Sequence, residues 1–206
     1  MHEYSIDKHP KAKVYFSLAF LAILITPQIQ IWIQRLVEFY EMDQAWSAPP
    51  VAAIPVFTIF AALHLLFDRV LWRSKAFGKL FAIPNLNGRW KCEGKTVLSN
   101  GQPVEWPWEA EVTISQTWSK ILIHLQAQTS ESMSISASLF RVEGVGFRIL
   151  YHYANDPKVD QQGLKKHSGS TDLCFRMGSD SAEGQYYSDN HRMTVGTMKL
   201  RRINDK

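Results

Sequence analysis

Residues 14–34, VYFSLAFLAILITPQIQIWIQ, carry no charged side chain between Lys13 and Arg35. At about 1.5 Å of rise per residue, a helix of this length crosses the ~30 Å hydrocarbon core of a bilayer. Pro27 is compatible with a span, because neighbouring groups can take up the carbonyl it frees. Thr26, Gln28, Gln30 and Gln34 are costly against lipid. Two explanations stand side by side: hydrogen bonds to another helix or subunit, or a place near the interface on a tilted helix.

A second uncharged stretch runs from Gln44 to Phe67, between Asp43 and Asp68, with Pro49 and Pro50 suited to a helix start. His64 lies one turn before Asp68, and a local pair between them is expected. Lys8, Lys11 and Lys13 precede the first span, and Arg69, Arg73, Lys75 and Lys79 follow the second. The connection between the spans holds Arg35 against Glu38, Glu41 and Asp43. The bias of basic residues toward the cytoplasm therefore predicts a two-pass hairpin with both termini inside. Trp32, Trp46 and Trp72 fall near span ends, as interfacial aromatics do. A cleaved signal peptide fits poorly, because Pro27 and glutamines stand where a small-residue cleavage site belongs.

After the spans comes a basic connector, RSKAFGKLFAIPN (73–85), patterned to lie on a membrane surface with Phe77, Leu80 and Phe81 turned inward. From Asn87 the hydrophobic period becomes two. Strands are predicted over 88–97, 108–116, 120–128, 132–143, 147–154, 170–177, 182–188 and 193–203. Trp108, Ala110, Val112 and Ile114 share a face opposite Glu109, Glu111, Thr113 and Ser115. Met133, Ile135, Ala137 and Leu139 oppose Ser132, Ser134, Ser136 and Ser138. Asn100-Gly101, Glu143-Gly144, Gly178-Ser179 and Asp189-Asn190 mark turns. About eight short strands in sequence order predict a small up-and-down antiparallel barrel, which has no exposed edge. Gly88-Arg89-Trp90 resembles the Gly-x-Trp that opens lipocalin-like barrels. Residues 155–169 read as one long polar loop. The fold class is thus a membrane α-helical hairpin plus an all-β barrel: N-terminal tail 1–13, hairpin 14–72, connector 73–85, barrel 86–206.

Chemistry is sparse. The net charge of +4 is too small to argue for a DNA or RNA polymer as partner. Cys92 and Cys174 have neither disulfide-framework nor zinc spacing, and read as free thiols. Gly94-Lys95-Thr96 ends like a phosphate-binding loop, but the preceding glycine is misplaced and no helix follows. His124 and His152 read as structural histidines within strands. No metal-ligand or catalytic motif is present, and the chain is not expected to be an enzyme or to need a cofactor. What remains is a binding face: Tyr151 and Tyr153 on one strand, Tyr186 on another, with Arg192 after a tight turn, Lys199 near the end and Trp90 as barrel floor. Aromatics that stack on bases beside cations for phosphate suit a small nucleotide. The same residues also fit a plain core with a solvated basic face.

Two spans joined to a small barrel, with the closing stretch EGQYYSDNHRMTVGTMKLRRI (183–203), resemble the two-transmembrane β-barrel effectors of bacterial CBASS anti-phage systems. These are CD-NTase-associated membrane-disrupting proteins. The resemblance implies that a partner CD-NTase enzyme makes a cyclic dinucleotide, which the cytoplasmic barrel binds as an activating ligand. It further implies homo-oligomerisation, disruption of inner-membrane lipid by the clustered spans, and death of the infected cell. Two other readings compete: a membrane-tethered lipocalin-like binder of an apolar ligand, and a scaffold whose packed barrel binds only protein.

Overall fold

The computed structural model describes residues 1–7, 10–39, 56–74, 77, 81, 83–159, 165–177, 180–189 and 192–203. They form two compact units, a helical one within 10–82 and a β unit made of the N-terminal residues together with 83–206.

In the helical unit, α1 spans Lys11–Phe39 and α2 spans Val56–Arg69, followed by a 3-10 turn at Leu71–Arg73. The stretch Lys11–Leu36 is long and apolar enough to cross a membrane. Most of the expected second span, 44–55, lies outside the described residues, and α2 covers its last turns. Phe16, Phe20, Ile23, Leu24 and Trp32 are exposed along α1, as lipid-facing residues would be. Ala22 and Thr26 are buried one turn apart. Pro27 sits inside the helix, and the Thr26 hydroxyl donates to the Ala22 carbonyl at 2.6 Å. Gln28 and Gln34 remain exposed. His64, expected beside Asp68, has its ring against Tyr15 of α1 at 5.4 Å and over Phe60 at 6.2 Å. Phe77 and Phe81 of the connector stack at 6.0 Å and meet Phe67 edge-on; Leu80 lies outside the described residues.

The β unit is a closed antiparallel barrel. Its eight strands are β3 (Gly88–Ser99), β4 (Gln102–Gln116), β5 (Lys120–Ala127), β6 (Ser130–Val142), β7 (Gly146–Pro157), β8 (His167–Arg176), β9 (Ser181–Ser188) and β10 (Thr194–Arg202). Each pairs with the next, β10 returns to β3, and β5 meets β6. All eight predicted strands are present. Asn100 (φ 50°) and Gly101 (φ 75°) make the tight β3–β4 hairpin, whose two positive φ values the Asn-Gly pair tolerates. The outer wall carries cross-strand ion pairs: Arg89–Glu111 at 2.7 Å, Lys95–Glu105 at 2.7 Å and Arg148–Asp172. A lipid-facing barrel would be apolar there, so this barrel faces water.

One end is packed solid. Trp90, Val112, Ile114, Trp118, Ile121, Ile123, Ile149, Leu173, Phe175 and Leu200 are each 4% exposed or less. The Arg202 guanidinium lies 4.3 Å from the Trp90 ring centroid, bonds to the carbonyls of Asn85 and Asn87, and meets Asp180 at 3.1 Å. The last strand is thereby latched to the segment that leads into the first. Trp90 lies within this packed end.

Two features depart from the sequence reading. A β-bulge between Ser134 and Ser136 inserts one residue into β6 and shifts its alternation. Ala137 and Leu139 face inward, but Met133 (45%) and Ile135 (54%) are turned to solvent, and Ser130, Ser132 and Ser134 take the inner side. The N-terminal residues, expected as a tail, belong to the barrel. β5 and β6 pair directly over only three positions, 124–126 with 131–133. Beyond that they splay, and the chain start fills the seam. β1 (His2–Glu3) pairs with β5, and β2 (Ser5–Ile6) pairs parallel to β6. Ser134 Oγ accepts from the Ile123 amide at 2.9 Å and lies 2.8 Å from His2 Nε2. Tyr4, 3% exposed, takes a bond from Gln116 Nε2 at 3.0 Å and donates to the Thr117 carbonyl at 3.3 Å. Tyr4→Ala would lose this buried ring and both bonds. It is expected to destabilise the barrel by about 3 kcal/mol, read as a lowered denaturation midpoint. An unchanged midpoint would mean the segment contributes nothing to the fold.

Candidate functional site

The end of the barrel opposite Trp90 is not filled. Thr96 near the end of β3, Trp106 to Trp108 on β4, Leu125 and Ala127 on β5, and Ser130 and Ser132 on β6 enclose a cavity of about 230 Å³ with residues of β7 to β10. Small hydroxyl residues on β6 leave this space. The bulge described above puts them there.

Four of the six residues singled out from the sequence converge on this cavity: Tyr151, Tyr153, Tyr186 and Arg192. Trp90 lies beneath, in the packed end. Lys199 is exposed on the outer wall, where its register neighbours are Glu93 and Glu183. Alternation explains the split. Thr194, Gly196, Met198 and Leu200 point inward, so Lys199 must point outward.

Three of the large rings of the cavity are each placed by a glycine directly across the ladder. Trp108 pairs with Gly94, Tyr186 with Gly196, and Tyr153 with Gly169. In each pair the ring lies where the glycine's missing side chain would be. Such close approach is available only to glycine. Gly94 of the Gly-Lys-Thr triplet therefore has a structural reason that involves no phosphate loop. Tyr186 is further fixed by its hydroxyl, 2.6 Å from Thr96 Oγ1 and accepting from Trp108 Nε1 at 3.2 Å. The Trp108 and Tyr186 rings meet edge-on at 5.6 Å.

Charge is confined to the mouth. Arg192 is exposed and makes no ion pair among the described residues. His167 is half-buried, with its ring 6.4 Å from Tyr153. Burial pushes the hydroxyl pKa of Tyr151 and Tyr153 well above the usual tyrosine value, so both remain neutral donors. Burial also lowers the pKa of His167, and the nearby Arg192 charge adds to this. Below the mouth the walls are aromatic, aliphatic and hydroxylic. Such a site can hold a neutral planar group inside and an anion at its rim.

Asn155, His167 and the two tryptophans at 106 and 108 were not picked out from the sequence. Asn155 and His167 fell in the supposed loop 155–169. In the structure β7 continues to Pro157 and β8 starts at His167, which leaves them register partners. The signal for Asn155 was there: it continues the inward series 151, 153, 155. Elsewhere on the barrel, His124 and His152 have structural partners, as expected: Glu131 at 3.2 Å and Ser170 at 3.1 Å. The Cys92 thiol is buried and pushed up to about 12, and Cys174 is likewise unbridged.

Residues 81–202, from just before β3 to the end of β10, match the family described as Cap15, cyclic dinucleotide receptor domain. The chain belongs to the Cap15 family. A relative from Yersinia aleksiciae, CD-NTase-associated protein 15, is 34% identical over 186 residues. That match covers 90% of this chain and 86% of the relative, so it runs through the helices as well as the barrel. The aromatic cavity thus lies within the part of the chain that defines Cap15 membership.

Two outcomes follow for this Cap15 barrel. Gly196→Ala would drive a methyl into the Tyr186 ring and the Lys95 carbonyl. It should cost about 1–3 kcal/mol and shift the fluorescence of Trp108, which contacts that ring. The second concerns pH. His167 takes a proton less readily folded than unfolded, so its favourable contribution is complete above the ordinary histidine pKa of ~6.5 and is lost as pH falls toward the lowered folded value. Stability measured between pH 7.5 and 5 should decline less steeply in His167→Phe than in the parent. Identical slopes would exclude a buried, neutral His167.

Proposed function

We propose that this chain is a cyclic-dinucleotide-gated membrane effector of a CBASS anti-phage system. The observation that carries the reading is a neutral, aromatic-walled cavity with its cation at the mouth, in a barrel of the Cap15 family. A base can enter such a cavity and meet Trp108, Tyr151, Tyr153 and Tyr186. Burying a phosphate among neutral walls would be prohibitive, so the phosphates stay at the rim beside Arg192. The volume of about 230 Å³ is below the ~300–1,000 Å³ of pockets that enclose a drug-sized ligand. Part of a cyclic dinucleotide therefore remains outside, open to a second copy of the barrel. A ligand can drive assembly only by binding the assembled form better, and a shared ligand does so.

The helices form a two-pass hairpin in the inner membrane, with both termini and the barrel in the cytoplasm. The exposed glutamines of α1 then find hydrogen-bond partners between copies. β5 and β6, which line the cavity, also grip the N-terminal strands, and only Asp7 to Pro10 separate those from α1. This gives a covalent route from ligand to lipid. In this reading the protein acts with a CD-NTase that makes the ligand, and has no catalytic step of its own. The cavity walls, rich in hydroxyls and aromatic rings, favour a nucleotide over the apolar ligand of a lipocalin-like carrier.

The test is direct. Purified protein in vesicles, given individual cyclic dinucleotides, should release trapped dye with at least one of them. Arg192→Ala should weaken binding of that ligand by about 10- to 100-fold, as loss of a charge-assisted hydrogen bond does, with the barrel still folded. If no cyclic dinucleotide binds or causes leakage, the proposal is wrong.

A further inference from the structure

One buried polar atom of the cavity has no hydrogen-bond partner among the described residues. Asn155 lies on β7 one pleat beyond Tyr153, on the same inward face, lines the cavity and is 7% exposed. Its Nδ2 donates to Ser130 Oγ at 3.3 Å, which orients the amide. Its Oδ1 has nothing to accept from. A buried carbonyl left without a donor is destabilising. In the wall of a binding cavity, such an atom is accounted for by a donor that arrives with the ligand.

The chemistry of the donor is restricted. A phosphate or a ribose ether oxygen offers no hydrogen and would be repelled by Oδ1. A ribose hydroxyl could also donate, but it is common to every cyclic dinucleotide, so ligands that differ only in their bases tell the two donors apart. The group that enters deepest between the aromatic rings is the flat base, and its edge carries N–H donors. Asparagine is suited to reading such edges, because its amide is planar and held in one orientation.

We infer that Asn155 is a specificity-determining residue of the cavity, its Oδ1 accepting a hydrogen bond from an amino or imino N–H on the edge of the nucleobase that enters the barrel. Ser130 is the positioning residue that holds the amide in that orientation. This rests on the reading that the ligand is a cyclic dinucleotide.

The experiment is calorimetric titration of the full chain in detergent with a set of cyclic dinucleotides that share one linkage and differ only in their bases. Asn155→Leu keeps nearly the size of the side chain and removes its hydrogen bonding. It should weaken the best-bound member by about 10- to 100-fold and bring the set toward equal affinity. The unliganded variant should unfold at the same temperature as the parent or above it, because an unpaired buried acceptor has gone. An asparagine with a merely structural role would lose stability instead. Ser130→Ala leaves Asn155 in place and frees its amide to rotate. It should narrow the preference by a smaller factor, and it carries the test alone should the leucine variant fail to fold. An unchanged ranking of the set, or an equal loss for every member, overturns the inference while leaving the proposed function intact. If the parent chain binds no member of the set, both fall together.

Discussion

A closed sheet of eight strands has a bore fixed by its geometry, and that bore must be filled or left open by the side chains that point inward. Everything distinctive in this barrel follows from filling it unevenly. At one end, Trp90, Trp118 and Phe175 occupy the whole section, and Arg202 closes it from below. At the other, the rings of Trp108, Tyr153 and Tyr186 are laid flat against glycines on the neighbouring strands instead of reaching across. The same class of residue that plugs one end thus panels the other. The space between the panels is the cavity.

Closure also explains the N-terminal strands. Eight strands meet as a ring only if β5 and β6 join, yet the bulge in β6 bends it away from β5 after three paired positions. The resulting gap would leave amides and carbonyls of both strands without ladder partners. His2 to Ile6 supply the missing partners, one strand antiparallel to β5 and one parallel to β6. The bulge that opens this gap is the one that turns Ser130 and Ser132 toward the cavity. Cavity and seam are two results of one inserted residue.

Much of the architecture was legible because it rests on local periodicity. The alternation in β4 and the Asn100-Gly101 turn could be read without knowing any partner strand. The register effects could not. Met133 and Ile135 looked inward because nothing local announces a bulge. Gly94 could be dismissed as a phosphate loop, but its purpose became visible only when Trp108 was found opposite. The N-terminal strands are too short and polar to signal themselves, and their pairing is with residues more than a hundred positions away. Asn155 was hidden by the low strand propensity of the segment Asn-Asp-Pro and His167 by the polar run Lys-Lys-His-Ser, both of which the ladder overrides. The tyrosines and Arg192 could be found because their chemistry is unusual for a solvated surface. Lys199 misled for the opposite reason: its charge suited the ligand, while its parity on the strand put it outside.

The seam strands bear on how the receptor is handled in isolation. A barrel cut free of its first seven residues would carry two short lengths of bare ladder side by side, facing water. Bare ladder is a template for any strand that offers itself, including the same edge of another molecule. Trimmed barrels would therefore stick to one another through this scar. Their clustering would arise from the exposed edge alone, with no ligand present.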